Sequence, residues 1–157
     1  MSKVVRRVLT ALVSVILVLA LLVGYLNFFW VPQTAQKSFP QTTGEIKLSG
    51  LDGPVDVYRD KMGIPHIYAT TLHDLFVAQG YVHAQDRFWQ MDFWRHIGSG
   101  RLAEMFGQGQ VETDAFLRTL GWRQIAEKEW ETLEPESKVI LEAYTEGVNA
   151  YLADHSG

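Results

Sequence analysis

The chain has 157 residues, enough for one domain with a genuine core, since a domain near 150 residues buries roughly 70% of the surface its unfolded chain exposes. Its net charge is −4, from 14 Lys and Arg against 18 Asp and Glu, and it has no cysteine. An acidic balance gives no support to nucleic-acid binding, which needs clustered Lys and Arg along phosphates. The missing thiol excludes disulfides, thiolate metal sites, cysteine nucleophiles and a lipoprotein anchor.

The charge is unevenly placed. The first 44 residues contain Lys3, Arg6, Arg7 and Lys37 and no acid, so the rest of the chain is strongly acidic. From Val8 to Gln36 no residue is charged, and "VLTALVSVILVLALLVGYLNFFWV" offers about 23 residues, roughly 35 Å of helix, for a hydrocarbon core of about 30 Å. The basic start sets residues 1–7 in the cytoplasm, 8–30 across the membrane as a signal anchor, and the body outside. Tyr25, Phe28, Phe29 and Trp30 sit where an interfacial aromatic belt belongs. The competing reading is a cleaved signal peptide and a secreted body. Against it, the apolar run exceeds the usual 7 to 15 residues, and no clear small-x-small cleavage site follows.

Residues 31–44 are polar, hold Pro32 and Pro40 and lack periodicity, so they read as a linker to a body over 45–157. In the body, "EIKLSG" and "VDVYRD" flank "LDGP" and predict two short strands around a Gly-Pro turn. "IPHIYA" predicts a third, with Pro65 at its start or on an edge. Thr71 then caps a helix with Leu72, Leu75 and Phe76 on one face and Asp74 near its positive end. Beyond Gly80 the apolar residues wrap all round, which predicts burial, and Gly98 and Gly100 end the helix. A short helix in "RLAEMFG", a helix from Trp122 through Leu133, and a final helix begun by Pro135 follow. That last helix has an apolar face of Val139, Ile140, Ala143, Tyr144, Val148, Tyr151 and Leu152. The order predicts an α+β fold, and its three short strands and aromatic helices leave too much apolar surface for these residues to cover alone.

Individual motifs carry little chemistry. "GSGRLA", Gly98 to Ala103, matches a G-x-G-x-x-A dinucleotide fingerprint but follows a helix instead of a strand, so helix termination explains it better. Ser99 lies in no G-x-S-x-G elbow. The histidines, His66, His73, His83, His96 and His155, form no H-E-x-x-H pair; His83 and Asp86 share a helix face at metal-ligand spacing, although helix histidines more often hydrogen-bond or face solvent. In "YVHAQDRFWQMDFWRHIGSGRLAEMFG", Asp92 can pair along the helix with Arg95 or His96. If the aromatics bury every face, Arg87 and Arg95 must find carboxylates or carbonyls elsewhere, which predicts a structural polar network.

Taken together, "RDKMGIPHIYA", "DLFVAQGYVHAQDRFWQM", "GSGRLAEMFG" and "LEAYTEGVNAYL" resemble the N-terminal part of the penicillin amidase (penicillin acylase) family, in order from about Val55 to Leu152. The resemblance implies part of an N-terminal-nucleophile hydrolase fold, with antiparallel sheets between helix layers (αββα), preceded here by one transmembrane helix. It implies a precursor that cuts itself into an α chain and a β chain whose first residue is the catalytic Ser. The freed α-amino group, with a reference pKa near about 8, then serves as base. It implies hydrolysis of linear amides such as the side chains of β-lactam antibiotics or acyl-homoserine lactones, and a structural calcium. No catalytic, cofactor-binding or metal residue carries over to this chain. The expected partners are the remainder of the α chain, the β chain, a small amide substrate and the membrane. His96 stands where the family often has a second arginine, and Glu134 precedes Pro135 where Ser is common. The rival reading is a membrane-tethered, non-enzymatic module that binds a partner through the aromatic face.

Overall fold

The computed structural model describes residues 2–36 and 39–155. They fall into two compact units, Met1–Pro40 and Gln41–Gly157.

The first unit is one continuous helix. Helix α1, Lys3–Tyr25, starts at Ser2, whose hydroxyl accepts the Val5 N–H at 3.3 Å. A π-helical turn over Leu26–Trp30 leads into α2, Val31–Gln36. The wide turn has a physical cause next door: Pro32 lacks an N–H, and its ring would crowd the carbonyl four residues back. Lys3–Gln36 is the one helix among the described residues long and apolar enough to cross a membrane, and its side chains are uncovered within this chain. Val31–Gln36 are therefore helical where the sequence suggests irregular linker, because an established helix propagates cheaply through Gln and Ala.

The second unit is mostly helical and carries a small sheet. Strands β1, Asp56–Arg59, and β2, Pro65–Tyr68, pair antiparallel with Val57 opposite Ile67 and Arg59 opposite Pro65. Asp60 builds the turn between them, its Oδ1 accepting the Met62 and Ile64 N–H groups at 2.8 and 2.9 Å. Pro65 takes the first position of β2, where a missing donor costs least. The strand expected at "EIKLSG" does not form: no neighbouring strand offers it a ladder, and Gly50 at φ +93° turns the chain. Of the antiparallel sheets between helix layers that the family resemblance implies, the described residues contain this two-stranded sheet.

Helix α3, Leu72–Ser99, is capped by Thr71, whose hydroxyl accepts the Asp74 N–H at 3.0 Å. It stops at Gly100 in the left-handed region, with the Arg101 N–H reaching back to the His96 carbonyl at 2.9 Å, the pattern that glycine C-caps permit. Short α4, Leu102–Phe106, then α5, Val111–Leu120, and α6, Trp122–Thr132, lead to α7, Pro135–His155.

The core is the crossing of α3 and α7. The side chains buried there include Val77, Ala78, Tyr81, Val82 and Ala84 of α3 and Ala143 of α7, whereas Leu72 is exposed. Two glycines set the approach. A Cβ at Gly80 would overlap the Tyr144 carbonyl, and one at Gly147 would overlap that of Val77, so the two backbones touch. The Tyr81 ring meets Tyr151 edge-on at 5.6 Å.

Candidate functional site

Three places gather polar side chains around this core. In the first, Arg59 at the end of β1 reaches α3 and makes two parallel hydrogen bonds to Asp86, Nη1 to Oδ2 at 2.8 Å and Nη2 to Oδ1 at 2.9 Å. It also donates to Gln85 Oε1 at 3.0 Å and the Gly63 carbonyl at 3.2 Å, while Gln85 donates to the Gln41 carbonyl. These bonds border a cleft of about 500 Å³ between residues 41–59 and the Ala78, Tyr81 and Val82 face of α3. No nucleophile–base pair lines it among the described residues.

The polar network expected around Arg87 and Arg95 takes a different form. Asp86 is the clamp, and its partner is Arg59 from the hairpin. Among the described residues Arg95 pairs with Asp92 one turn back, at 2.6 Å, and Arg87 is exposed. Arg87 also has non-helical angles, φ −141° and ψ 17°, so α3 kinks there. Up to the kink, the helix faces α7. Beyond it, Trp89 and Trp94 are 61% and 67% exposed, part of the apolar surface that these residues do not cover alone. The charge in the stretch reflects a helix covered well on its first half and only on one side, around His96, beyond the kink.

The second place explains "GSGRLA". Asp114 on α5 is buried, and its Oδ1 and Oδ2 accept the Leu102 and Ala103 N–H groups at 2.7 and 2.8 Å. A side-chain carboxylate thus occupies the helix start where a phosphate would bind in a dinucleotide site. Arg118, one turn on, donates through Nε to the Gly100 carbonyl at 2.8 Å, and a Cβ at Gly100 would crowd Arg118. Beside this loop, Arg101 grips Glu104 at 2.7 and 2.6 Å and holds its carboxyl below the usual range. His96 lies buried between the Asp92 carbonyl, 2.8 Å away, and Glu104.

The third place joins the start of α3 to α7. Asp74 is buried, and its Oδ1 accepts the Asp52 N–H at 2.9 Å. That bond, followed by His73 and Thr71, holds its carboxyl below the ordinary value. The Gly53 N–H pulls in the same direction without forming a hydrogen bond of ordinary geometry to Oδ2, which is left buried and unpartnered. His73 stands between two carboxylates, Nδ1 to Asp74 Oδ1 and Nε2 to Glu146 Oε2, each at 3.4 Å. Asp52, His73 and Asp74 are, among the described residues, the one group of three acidic or histidine side chains drawn together at metal-ligand spacing. An imidazole in the set does not suit calcium, whose shell is made of oxygens.

The other histidines go elsewhere. His83 contacts the Tyr144 hydroxyl at 3.1 Å while Asp86 serves Arg59, so the pair at metal-ligand spacing is not brought together. His66 meets Asp60 at 3.5 Å, and His155 stacks on Tyr151 at 4.1 Å. Asp114, Arg118 and the Asp52–Asp74–Glu146 grouping escape sequence reasoning, because each depends on partners 11 or more residues away.

Residues 54–157, from the sheet through α7, match the family model described as penicillin amidase. The chain belongs to the penicillin amidase family. It is 42% identical over 121 residues to the penicillin acylase 2 proenzyme of Pseudomonas sp. (strain SE83), covering 77% of this chain and 16% of that protein. It is equally 42% identical over 123 residues to the acyl-homoserine lactone acylase QuiP of Pseudomonas aeruginosa, covering 78% and 14%. Among solved structures, the thermostable penicillin G acylase from Alcaligenes faecalis superposes with a TM-score of 0.58 at 32% identity, covering 64% of this chain and 54% of that one. The chain thus spans about one sixth or less of the length of these penicillin amidase relatives. The family is one of amidohydrolases, and the long apolar helix before the matched region fits a signal peptide or a membrane anchor.

Proposed function

We propose that this chain is the N-terminal part of a precursor that hydrolyses C–N bonds in linear amides, of the kind found in penicillin side chains or acyl-homoserine lactones. The observation that carries the reading is the similarity over 54–157 to proteins named as penicillin and acyl-homoserine lactone acylases. The part played by these residues is scaffolding. The Arg59–Asp86 clamp and the α3–α7 crossing present an apolar cluster of Trp89, Phe93, Trp94 and Phe106 for the rest of the precursor to cover. The nucleophilic Ser and its α-amino base belong to a β chain released by self-cleavage. Helix α1 anchors the body on the extracytoplasmic side. The matched relatives are named as acylases, so nothing favours the non-enzymatic module.

The test is to express the longer reading frame that contains this sequence, look for two chains by mass spectrometry, and assay the product on penicillin G and on N-acyl-homoserine lactones. Two chains with amide hydrolysis are expected, and the 157-residue chain alone should be inactive. An uncleaved, inactive full-length protein, or hydrolysis by the 157-residue chain itself, would overturn the reading.

A further inference from the structure

We propose that Asp52, His73 and Asp74 form a binding site for a divalent metal ion of the zinc class, which clips the segment around Gly50–Gly53 to the start of α3. The site is separate from the proposed amide hydrolysis and does not depend on it.

Three observations converge. One imidazole nitrogen and two carboxylate oxygens lie within 4.8 Å of one another, a donor set that zinc accepts with water completing the shell. Imidazole selects for zinc and its neighbours over calcium or magnesium. Next, Asp74 Oδ2 is buried and accepts no hydrogen bond. A desolvated carboxylate oxygen without a donor is costly, and coordination to a cation removes that cost. Finally, with His73 Nδ1 turned toward Asp74, its Nε2 faces Glu146 Oε2 at 3.4 Å. A carboxylate behind a ligating imidazole fixes its tautomer and raises its basicity.

The surroundings agree with this assignment. Gly50 has φ +93°, and a Cβ there would overlap Glu146 Oε1, so the glycine lets the carboxylate lie against the loop. Among the described residues, the ion pairs made by Lys and Arg involve other acids, leaving Asp52, Asp74 and Glu146 without a permanent cation.

The test is calorimetric titration of the detergent-solubilised, chelator-stripped chain with Zn²⁺, with Ca²⁺ and Mg²⁺ titrated in parallel. One equivalent of Zn²⁺ should bind and raise the melting temperature, with H73Q and D52N each weakening affinity at least tenfold and E146Q by about tenfold to a hundredfold. H83Q should bind as the parent does, since His83 lies outside the cluster. Asp74 also holds the Asp52 N–H, so D74N risks misfolding; H73Q and D52N carry the test without it. Absence of saturable Zn²⁺ binding, parental affinity in both H73Q and D52N, or a preference for Ca²⁺ would overturn the proposal.

Discussion

Arg59 and Asp86 are joined by two parallel hydrogen bonds across 27 residues of sequence, and both side chains are largely buried, at 13% and 21% exposure. The pair fastens the β-hairpin to α3 at the residue just before the helix kinks. Fork-to-carboxylate geometry of this kind gives direction as well as attraction. Removing one partner strands the other: exposed pairs are worth at most about 1 kcal/mol and fully buried ones cost 3–5 kcal/mol to break, so Asp86→Ala should cost about 2 kcal/mol. Arg87→Ala, on an exposed side chain, should stay within about 0.5 kcal/mol in this chain. Urea denaturation of both variants distinguishes the clamp from its neighbour; equal losses would mean that Arg87 has a partner of its own.

The α3–α7 contact makes a second expectation. With backbone carbonyls where new methyl groups would go, Gly80→Ala and Gly147→Ala should each destabilise by about 1–3 kcal/mol, although alanine is the better helix former. Gly24→Ala, with open space around it, should not. Thermal melts followed by circular dichroism read this directly, and a gain in stability at Gly147 would show that the helices sit further apart.

Asp114 caps α4 with both carboxylate oxygens. Asp114→Ala should cost about 1–2 kcal/mol, as loss of a strong N-cap does, and should expose the Leu102 and Ala103 amides to faster hydrogen exchange. Unchanged exchange at those two amides would remove the capping role.

Acid should loosen the fold through a defined set of groups. Asp74 and Asp60 are held below their ordinary values chiefly by backbone N–H donors, from Asp52 and Ile64 respectively, and Glu104 by Arg101. A carboxyl depressed in the folded state contributes fully above its unfolded value, about 4, and loses that contribution as pH falls through the folded value. Stability should therefore be level near neutrality and drop below about pH 4. Asp60→Asn should flatten part of that drop. A profile that declines between pH 7 and 5 would point to histidines instead.

Much of this was readable in the residues. Thr71 and Pro135 start helices, and Gly100 ends one, because capping is local chemistry that three or four residues specify. The family was legible through several motifs in fixed order. The first of the three expected strands, "EIKLSG", does not form, because alternation describes what a strand could be, while a strand exists only where a neighbour offers hydrogen bonds. The aromatic run is legible only in part: that it needs more cover than these residues supply can be read from the sequence, but which of its side chains stay bare cannot. Asp114 was invisible because its partners are the first two amides of α4, with nothing in the intervening residues to announce them.

The close approach of α3 and α7 at Gly80 and Gly147 has a further meaning for synthesis. The two residues are separated by roughly 70 positions, so at 5–20 residues per second α3 emerges from the ribosome about 3–15 s before the helix that buries it. During that interval Val77, Tyr81 and Val82 are as bare as Trp89 and Trp94 beyond the kink. The same helix thus has two waiting periods, a short one ended by α7 and a longer one that α7 cannot end, and a chaperone able to hold an apolar helix would meet the second as an extension of the first.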